Sequence, residues 1–527
     1  GVCSVGSTRG TSSHQENPFV ILCEKEAGEY QGACWGAAFV YSGNFLAETE
    51  VDQIGQTRLV MGIHPEGFRW RLDAGGRFAA PEVVLSYSGE GFSRLSHHFH
   101  DAYREHLLPP SFRQRKTPVL LNSWEAVEFT FQEETLLAMA ESARELGIGL
   151  FVVDDGWFGS RDHDRSGLGD WFSNREKLPD GIEGLAEKIH GMGMQFGLWV
   201  EPEMVNEDSC LFREHPDWCL RIPGRAPNLE RCQLVLDMGR REVRDYLFSA
   251  ISHVLSDTRA DYVKWDMNRN LSDVWSAALP ASRQGEASHR YVLGLYELMD
   301  RLVRRFPDIL WEGCSGGGGR FDAGILYYMP QIWCSDNTDA ADRIRIQYGT
   351  SFGYPVCAMG AHVSSCPNGQ TGRTVPLPAR AETAMAGTFG YELDMRTFTE
   401  AERAQVPRQI ADYERLSPLI REGDYYRLTD GEENRELAAW EFVSKDGRDA
   451  FVSVVFLHAA ANPPFYEIRL RGLDSKGLYR IEGEERLYRG NALMYAGLPL
   501  PVKLGDYQTV RYVLHRAEGE GEAGSAG

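Results

Sequence analysis

The sequence lacks the residue clusters on which several functional classes depend. Its ten cysteines form no CxxC pair and no Cys/His cluster with zinc spacing, and the motifs HExxH and GxxxxGK(S/T) are absent. These absences argue against structural zinc sites, zinc proteases and P-loop nucleotide binding. Basic residues are in the minority, with 55 Lys and Arg against 76 Asp and Glu. The resulting net charge of -21 argues against nucleic acid or an anionic membrane as a partner, since both require clustered cations.

Long apolar runs are missing as well. No stretch has the length of a transmembrane helix, and no signal-peptide pattern opens the chain. We therefore predict a cytoplasmic protein whose scattered cysteines stay reduced. Because the chain opens on Gly1 and the polar stretch GVCSVGSTRGTSSHQ, we expect it to begin partway through a domain. Neutral polar molecules remain the favoured class of substrate.

The hydrophobic patterns divide the chain into three regions. Residues 1–108 carry short alternating runs and then a helical stretch, which predicts the C-terminal portion of a β-sandwich and a linker helix. Between residues 109 and 420, apolar runs alternate with amphipathic segments, which favours a (β/α)8 TIM barrel over an open doubly wound sheet. Residues 421–527 predict a smaller C-terminal β-sandwich with a disordered, Gly-rich tail.

Acidic and aromatic residues recur where six of the predicted barrel strands end. A β/α barrel carries its chemistry at that end, so the pattern predicts a single site, although each residue alone is more simply a helix cap or a turn residue. Carboxylates orient sugar hydroxyls and Trp rings stack on the apolar face of a sugar, which favours a carbohydrate site. A Mg²⁺ site built from the same carboxylates is the alternative. The strand-end residues are Trp124, Glu125, Asp154, Asp155, Trp157, Trp199, Glu201, Glu203, Lys264, Asp266, Glu312, Cys314, Asp336, Asn337 and Asp339.

The stretch YVKWDMNRN supplies the first catalytic candidate. Alternation along a strand puts Lys264 and Asp266 on one face, and the Lys264 charge would lower the pKa of Asp266. Glycoside hydrolysis needs two carboxyl groups on opposite sides of the scissile bond. Asp266 therefore suits a nucleophile, and either Asp336 or Asp339 suits the acid/base.

Eight motifs in a fixed order resemble the α-galactosidases of glycoside hydrolase family 36. They are DDGWFG, LGDW, GLWVEPEMV, LDM, KWDMNR, CSGGGGRFD, SDNTD and IQYGTSF, and the resemblance covers nearly the whole chain. It implies a retaining hydrolase that acts on terminal α-1,6-linked galactose in melibiose and raffinose-type oligosaccharides, without cofactor or metal. It also implies a homo-oligomer, a tetramer in the full-length form, and an N-terminal β-sandwich of which this chain lacks the beginning.

The resemblance assigns roles to individual residues. Asp266 matches the family's nucleophile and Asp336 its acid/base. The residues matched to substrate binding are Asp154 and Asp155 for the galactose O4 and O6 hydroxyls, Lys264 and Arg231 for ring hydroxyls, Trp199 and Trp124 for the aromatic walls, and Asn268, Cys314 and Gly316 around the C2 hydroxyl.

Three other functions remain open from the sequence. An α-N-acetylgalactosaminidase would need room at C2, where Cys314 and Asn268 are expected to crowd. Relatives of the raffinose-synthase type transfer galactose instead of hydrolysing it. A truncated, inactive carbohydrate-binding protein is disfavoured because both expected catalytic aspartates are present.

Overall fold

The N-terminal region consists of two antiparallel sheets followed by helices. The computed structural model describes residues 1–431 and 433–517, without the side chains of residues 113 and 114. One sheet has the strand order β1-β4-β5 and the other has β2-β3-β6. The strands are β1 (Val2–Ser7), β2 (Phe19–Cys23), β3 (Cys34–Val40), β4 (Phe45–Val51), β5 (Thr57–Ile63) and β6 (Glu82–Ser88). The linker helix α1 (Gly91–Ala102) continues as a π-helix (Tyr103–Leu107) and is followed by α2 (Pro110–Gln114).

Eight parallel strands in the central region close into a barrel, which confirms the predicted TIM barrel. The strands of this region are β7 (Leu120–Asn122), β8 (Leu150–Val153), β9 (Gln195–Val200), β10 (Met204–Asn206), β11 (Gln233–Val235), β12 (Tyr262–Trp265), β13 (Leu310–Gly313), β14 (Gln331–Trp333), β15 (Met359–Ser364) and β16 (Thr388–Glu392). β16 pairs with β7 to close the circle, while β10 and β11 form a separate hairpin in the connection after β9.

Helices connect the barrel strands and cover the outside of the barrel. They are α3 (Trp124–Val127), α4 (Glu133–Glu145), α5 (Gly181–Gly191), α6 (Cys210–Glu214), α7 (Arg241–Thr258), α8 (Ala287–Arg305), α9 (Ala323–Leu326), α10 (Ala340–Thr350), α11 (Leu377–Ala384), α12 (Glu400–Arg403) and α13 (Val406–Glu422). Short 3-10 turns lie at Pro216–Trp218, Ala281–Glu286, Val356–Ala358 and Met395–Thr397. The amphipathic segments of the sequence become the long helices α4, α5 and α7.

The C-terminal region is an antiparallel β domain, as predicted. Its main sheet has the order β17-β18-β19-β24-β21-β22, and β20 pairs with β23. The strands are β17 (Asp424–Arg427), β18 (Leu437–Val443), β19 (Asp449–Phe456), β20 (Glu467–Ile468), β21 (Leu478–Ile481), β22 (Leu487–Arg489), β23 (Leu498–Pro499) and β24 (Gln508–Arg516), with a π-helix at Ala492–Ala496. From residue 518 on, the tail predicted to be disordered lies outside the described residues. The domain boundaries at residues 108 and 420 stay a prediction.

Strand β12 shows how the sequence positions the site. All four of its residues are buried, and Lys264 lies in register with Trp199 on one side and Glu312 on the other. The Asp266 backbone N–H donates to the Val200 carbonyl at 2.8 Å, so Asp266 lies at the C-terminal mouth of the barrel. Neighbouring parallel strands thus bring distant side chains to one end.

Two general features of the described chain bear on function. Across residues 1–431 and 433–517, no helix combines the length and apolarity needed to cross a membrane. All ten cysteines lie in these residues as free thiols.

Candidate active site

A cavity of about 350 Å³ opens at the C-terminal ends of the barrel strands. Nine of the eleven predicted site residues line it, and the other two, Cys314 and Gly316, contact the Asp266 carboxylate instead. Residues from seven of the eight barrel strands, or from the loops that follow them, therefore converge on one space. The lining residues are Trp124, Glu125, Glu128, Asp154, Asp155, Trp199, Arg231, Lys264, Asp266, Asn268, Trp333, Asp336, Thr338, Ser365, Gly369, Gln370 and Glu392.

The Asp266 carboxylate is surrounded by hydrogen-bond donors. Its Oδ1 accepts from the backbone N–H groups of Met267 at 2.8 Å and Gly316 at 3.2 Å. Its Oδ2 accepts from Asn268 Nδ2 at 2.8 Å and from Trp199 Nε1 at 3.2 Å. These donors hold the carboxylate in one orientation at the edge of the cavity.

The environment of Asp266 favours its ionised form. Burial alone would raise the pKa of this carboxyl group, but the nearby Lys264 ammonium and hydrogen bonds from Asn268 and Cys314 outweigh burial. The pKa of Asp266 is therefore lowered, and the group is a carboxylate at neutral pH.

Asp336 has the opposite environment on the other side of the cavity. It follows strand β14, and among the described residues none donates a hydrogen bond to its carboxyl group. Partial desolvation by the surrounding cavity and the negative charge of Asp266 raise the pKa of Asp336 to about 6, although the residue is exposed and Lys264 partly opposes the shift. Asp336 can therefore hold a proton and release it near neutral pH.

Asp339, the alternative acid/base candidate, is occupied elsewhere. Its side chain caps helix α10 by accepting from the backbone N–H groups of Ala341 and Asp342, and it forms an ion pair with Arg373. It does not line the cavity. The structure therefore separates two aspartates that the residue pattern alone leaves equivalent, and brings only Asp336 to the site.

Lys264 and Asp154 form a buried ion pair on the cavity wall. Lys264 Nζ lies 3.0 Å from Asp154 Oδ2, which also accepts from Asn122 Nδ2 at 2.7 Å. Burial would lower the pKa of Lys264, but the charges of Asp154 and Glu392 raise it well above its ordinary value. The ammonium group is therefore permanently charged and lies where it favours an ionised Asp266.

Asp155 is held by a bidentate arginine. Arg161 donates from Nε to Oδ1 at 2.9 Å and from Nη2 to Oδ2 at 2.8 Å, with its guanidinium almost fully buried. Arg161 also donates to Asn206 Oδ1 at 3.2 Å. The Asp155 carboxyl thus has a fixed direction, while its remaining lone pairs are available on the cavity side.

Arg231 reaches the cavity from a strained turn that extends the β10–β11 hairpin. Both Arg231 and Cys232 have left-handed backbones, with φ of 54° and 57°, and the Gln233 N–H donates to the Glu230 carbonyl at 3.0 Å. Asn206 Nδ2 donates to the Cys232 carbonyl at 2.8 Å and supports the turn. Non-glycine residues adopt this backbone at a cost, and such strain is concentrated at functional sites.

Indole rings supply the apolar surface of the cavity. Trp199 is almost fully buried and stacks on Phe158 with an interplanar angle of 7°, whereas Trp124 is half-buried at the rim. Trp124 also marks a small difference from the sequence prediction. Strand β7 ends at Asn122, and Trp124 is the first residue of the short helix α3 rather than the last residue of a strand.

Several site residues received no role from the sequence. The sequence indicates Glu125 and Glu201 only as strand-end residues, and it does not single out Trp333 and Glu392. Trp333 and Glu392 are the last residues of β14 and β16, so strand-end position is the signal that would have found them. Burial raises the pKa of Glu125, Glu392 and Glu201, to about 7, 7 and 8 respectively, with help from the Glu392 charge at Glu125 and the Asp266 charge at Glu201.

Metal binding is not supported by the grouping of side chains. Within the described part of the chain, no group of three or more His, Cys, Asp or Glu residues is arranged to hold a metal ion. The absence of a cofactor stays a prediction. What the cavity does offer is one carboxylate with a lowered pKa and one carboxyl group with a raised pKa facing the same space, which is the pair that glycoside hydrolysis requires.

Comparison with family models covers nearly the whole described chain. Residues 77–423 match the melibiase model, residues 1–73 match the glycosyl hydrolase family 36 N-terminal domain, and residues 437–514 match the glycosyl hydrolase family 36 C-terminal domain. The three matches follow one another in the order of the three regions of the fold.

Two bacterial proteins are similar to this chain over almost its entire length. Alpha-galactosidase AgaA of Geobacillus stearothermophilus is 52% identical over 98% of this chain and 70% of its own length. Its crystal structure superposes with a TM-score of 0.96. The bifunctional alpha-galactosidase/sucrose kinase AgaSK of Mediterraneibacter gnavus is 52% identical over 97% of this chain and 54% of its own length. Both relatives are thus longer than the chain described here.

Variants of AgaA have been crystallised with ligands. A double variant in complex with raffinose and a single variant in complex with 1-deoxygalactonojirimycin each match with 51% identity and a TM-score of 0.96, over 98% of this chain and 72% of theirs.

Proposed function

Because this chain belongs to glycosyl hydrolase family 36, we propose that it is an α-galactosidase that releases terminal α-1,6-linked galactose with retention of configuration. The observation that carries the proposal is the pair of cavity carboxyl groups with opposite pKa shifts. Asp266 is held ionised, and Asp336 has a pKa of about 6. One can attack carbon while the other donates a proton.

In the first step, Asp266 Oδ attacks C1 of galactose as the bond to the leaving oxygen breaks. Asp336 gives its proton to that oxygen, so the aglycone leaves as a neutral alcohol and a galactosyl-Asp266 ester forms. The donors around Asp266 orient the carboxylate for attack, and the Lys264 charge keeps it unprotonated beforehand.

In the second step, Asp336 acts as a base. It takes a proton from water as the water oxygen attacks C1 from the face that the aglycone left, and the ester to Asp266 breaks. Asp336 is then protonated again, Asp266 is ionised again, and galactose is released as its α-anomer. An alcohol in place of water would give galactosyl transfer by the same step.

The polar residues of the cavity suit a single galactose unit. Asp154 and Asp155 offer acceptor oxygens to the O4 and O6 hydroxyls, while Lys264 and Arg231 offer donors to the other ring hydroxyls. Trp199 forms an apolar wall for the sugar face. The structure of an AgaA variant in complex with raffinose supports the proposal that oligosaccharides with terminal α-galactose are substrates of this chain too.

The setting of the enzyme is also part of the proposal. We infer that it works in the cytoplasm, without metal or cofactor, and as a homo-oligomer. Neither nucleic acid nor membrane is a partner, which agrees with the net charge of -21.

Azide rescue tests the mechanism and its stereochemistry together. Asp266→Gly should abolish turnover of an aryl α-galactoside, and added azide should restore it with β-galactosyl azide as the product, because azide then replaces the missing nucleophile on its own face. Rescue of Asp336→Ala should give the α-azide instead, because azide attacks the covalent intermediate from the opposite face. Nuclear magnetic resonance of the products identifies the anomers. Release of β-galactose by the wild-type chain would overturn the retaining assignment.

A further inference from the structure

A segment of the N-terminal region reaches the barrel mouth. Residues 12–17 lie between β1 and β2 in the chain, yet they bond to residues 316–322, which follow barrel strand β13. The bonds join Ser12 Oγ to Asp322 Oδ2 at 2.7 Å, the Ser13 N–H to the Gly319 carbonyl at 2.9 Å, and Asn17 Nδ2 to the Phe321 carbonyl at 2.8 Å. We call residues 315–319, SGGGG, the glycine loop. The N-terminal segment therefore holds the glycine loop and the residues just after it from outside the barrel.

His14 is the residue of this segment that contacts Gly316, whose N–H donates to Asp266. Its Nε2 lies 2.7 Å from the Gly316 carbonyl oxygen, so Nε2 carries the hydrogen because a carbonyl only accepts. A Cβ atom on Gly316 would lie 3.4 Å from His14 Nε2, and one on Gly319 would lie 2.8 Å from His14 Cε1. The imidazole thus packs against Gly316 at ordinary contact distance and occupies space that a side chain at Gly319 would need.

The same glycine loop supplies one donor to Asp266. The Gly316 N–H donates to Asp266 Oδ1 at 3.2 Å, and the Gly317 N–H donates to Cys314 Sγ at 3.3 Å. Gly316 has a left-handed φ of 51°, and glycine adopts this region as readily as several others. Because glycine is so permissive, the direction of the Gly316 N–H depends on what packs against the loop.

We propose that His14 is a positioning residue of the active site, which holds Gly316 so that its N–H stabilises the ionised Asp266. His14 does not touch the substrate; it acts through one glycine on the nucleophile. The inference rests on the proposed role of Asp266, and it makes the N-terminal region part of the catalytic machinery of the barrel.

The consequence of losing the His14 contact is a change in the ionisation of Asp266. A glycine loop free to relax would weaken the Gly316 donor, and a carboxylate with one donor fewer protonates at higher pH. The groups that sense the Asp266 charge stay in place: Lys264, Asp155, Glu201, Cys314 and Asp336. A shift in the pKa of Asp266 alone is therefore expected.

The experiment compares two neutral replacements of similar shape. In His14→Gln the amide N–H can still donate to the Gly316 carbonyl, whereas in His14→Met no donor remains. Gln15→Ala is the control, because Gln15 is exposed in the same segment. The acid limb of kcat/KM on a nitrophenyl α-galactoside is measured for each variant. We expect the acid limb of His14→Met to rise by about one pH unit, the scale of one hydrogen bond to a charged group. His14→Gln and Gln15→Ala should keep the wild-type limb.

The inference is overturned if His14→Met lowers kcat/KM equally at every pH, or if His14→Gln shifts the limb as far as His14→Met does. Calorimetric binding of 1-deoxygalactonojirimycin across pH gives the same comparison without turnover, since a cationic sugar mimic binds best to an ionised Asp266. A wild-type chain that binds this compound but cleaves no α-galactoside would contradict the proposed function, and the binding limbs would still decide the role of His14. A chain that neither binds nor cleaves overturns both.

Discussion

Asp266 and Asp336 line the same cavity, but their pKa values are shifted in opposite directions. On the β12–β13 side, Asp266 has donors at both oxygens and a lysine nearby, and its pKa is lowered. On the β14 side, Asp336 has no donor among the described residues, and its pKa rises to about 6. The two groups also differ in exposure, since Asp266 is buried whereas Asp336 is exposed. Burial favours the protonated form, yet the more buried group is the anion, so donors and a neighbouring cation outweigh burial at Asp266.

The largest loss of activity is expected when the Asp266 carboxylate itself is replaced. We expect Asp266→Asn to lower kcat by about 10⁴-fold or more, the scale on which covalent nucleophiles act. An amide cannot attack C1, yet it can keep the hydrogen bond from the Gly316 N–H. Kinetics on a nitrophenyl α-galactoside measure the loss, and an unchanged melting temperature shows that the fold is intact. Retention of a tenth of the activity would remove Asp266 from the nucleophile role.

Replacing Asp336, the proton donor, should lower activity less, and the loss should depend on the leaving group. We expect Asp336→Asn to lower kcat/KM on raffinose by about 10²- to 10⁴-fold, and less on a nitrophenyl galactoside that leaves without a proton. In the wild type, kcat/KM should fall as pH rises through about 6, because only the protonated Asp336 donates. That limb should vanish in Asp336→Asn.

Asp339→Asn is the control for this prediction. Asn can still cap helix α10, and the ion pair with Arg373 is lost, so stability should change while the limb near pH 6 remains. A limb that disappears in Asp339→Asn instead would exchange the roles of the two aspartates.

Removing one hydrogen-bond donor from Asp266 should raise the pKa of Asp266 toward that of Asp336. We expect Asn268→Ala to raise the acid limb of kcat/KM by about one pH unit, because Asp266 Oδ2 loses a donor to its charged form. Asn270→Ala, two residues along and outside the cavity, should leave that limb in place. A pH profile of each variant makes the comparison, and equal shifts in the two variants would contradict it.

The smallest effect on activity is expected at Glu201. Burial and the Asp266 charge raise the pKa of this carboxyl group to about 8, so Glu201→Gln replaces one neutral group by another at pH 7. We expect kcat to change by less than about threefold, since the amide oxygen can still accept from the Asn268 N–H, and the amide nitrogen can donate to the Gln233 side chain once that amide has turned over. Its folded-state contribution is fully present below its unfolded pKa and is lost as pH rises through about 8. The free energy of unfolding should therefore fall less between pH 5 and 9 in Glu201→Gln than in the wild type.

Glu203→Gln offers the contrast for that measurement. Glu203 accepts from Arg320 at 2.8 and 3.0 Å in a buried ion pair, so its neutral replacement leaves the guanidinium without an anion. A loss of about 3 kcal/mol in stability is expected. Equal stability of the two variants would mean that Glu201 is ionised as Glu203 is.

The sequence predicts the barrel and the position of Asp266 better than it predicts which aspartate is the acid/base. Strand periodicity alone puts Lys264 and Asp266 on one face, and the structure shows both lining the cavity. Asp336 and Asp339 are three residues apart, where no strand periodicity applies, and Asp339 is set apart by its local helix cap and its distant ion pair with Arg373. The protonation of Glu201 depends on burial that its strand-end position does not reveal. The His14 contact spans 302 residues of sequence and has no local signal.

The left-handed backbone of Arg231 and Cys232 has opposite consequences for selection for heat tolerance and selection for turnover at low substrate concentration. Glycine adopts this backbone without penalty, and Cys232→Gly should stabilise the fold by about 1 kcal/mol. The same glycine would let the turn that presents Arg231 sample other conformations, so KM for the galactoside should rise as the melting temperature rises. Libraries screened for heat tolerance and libraries screened for turnover at low substrate should therefore diverge at residue 232, and sequencing the survivors of both would show it.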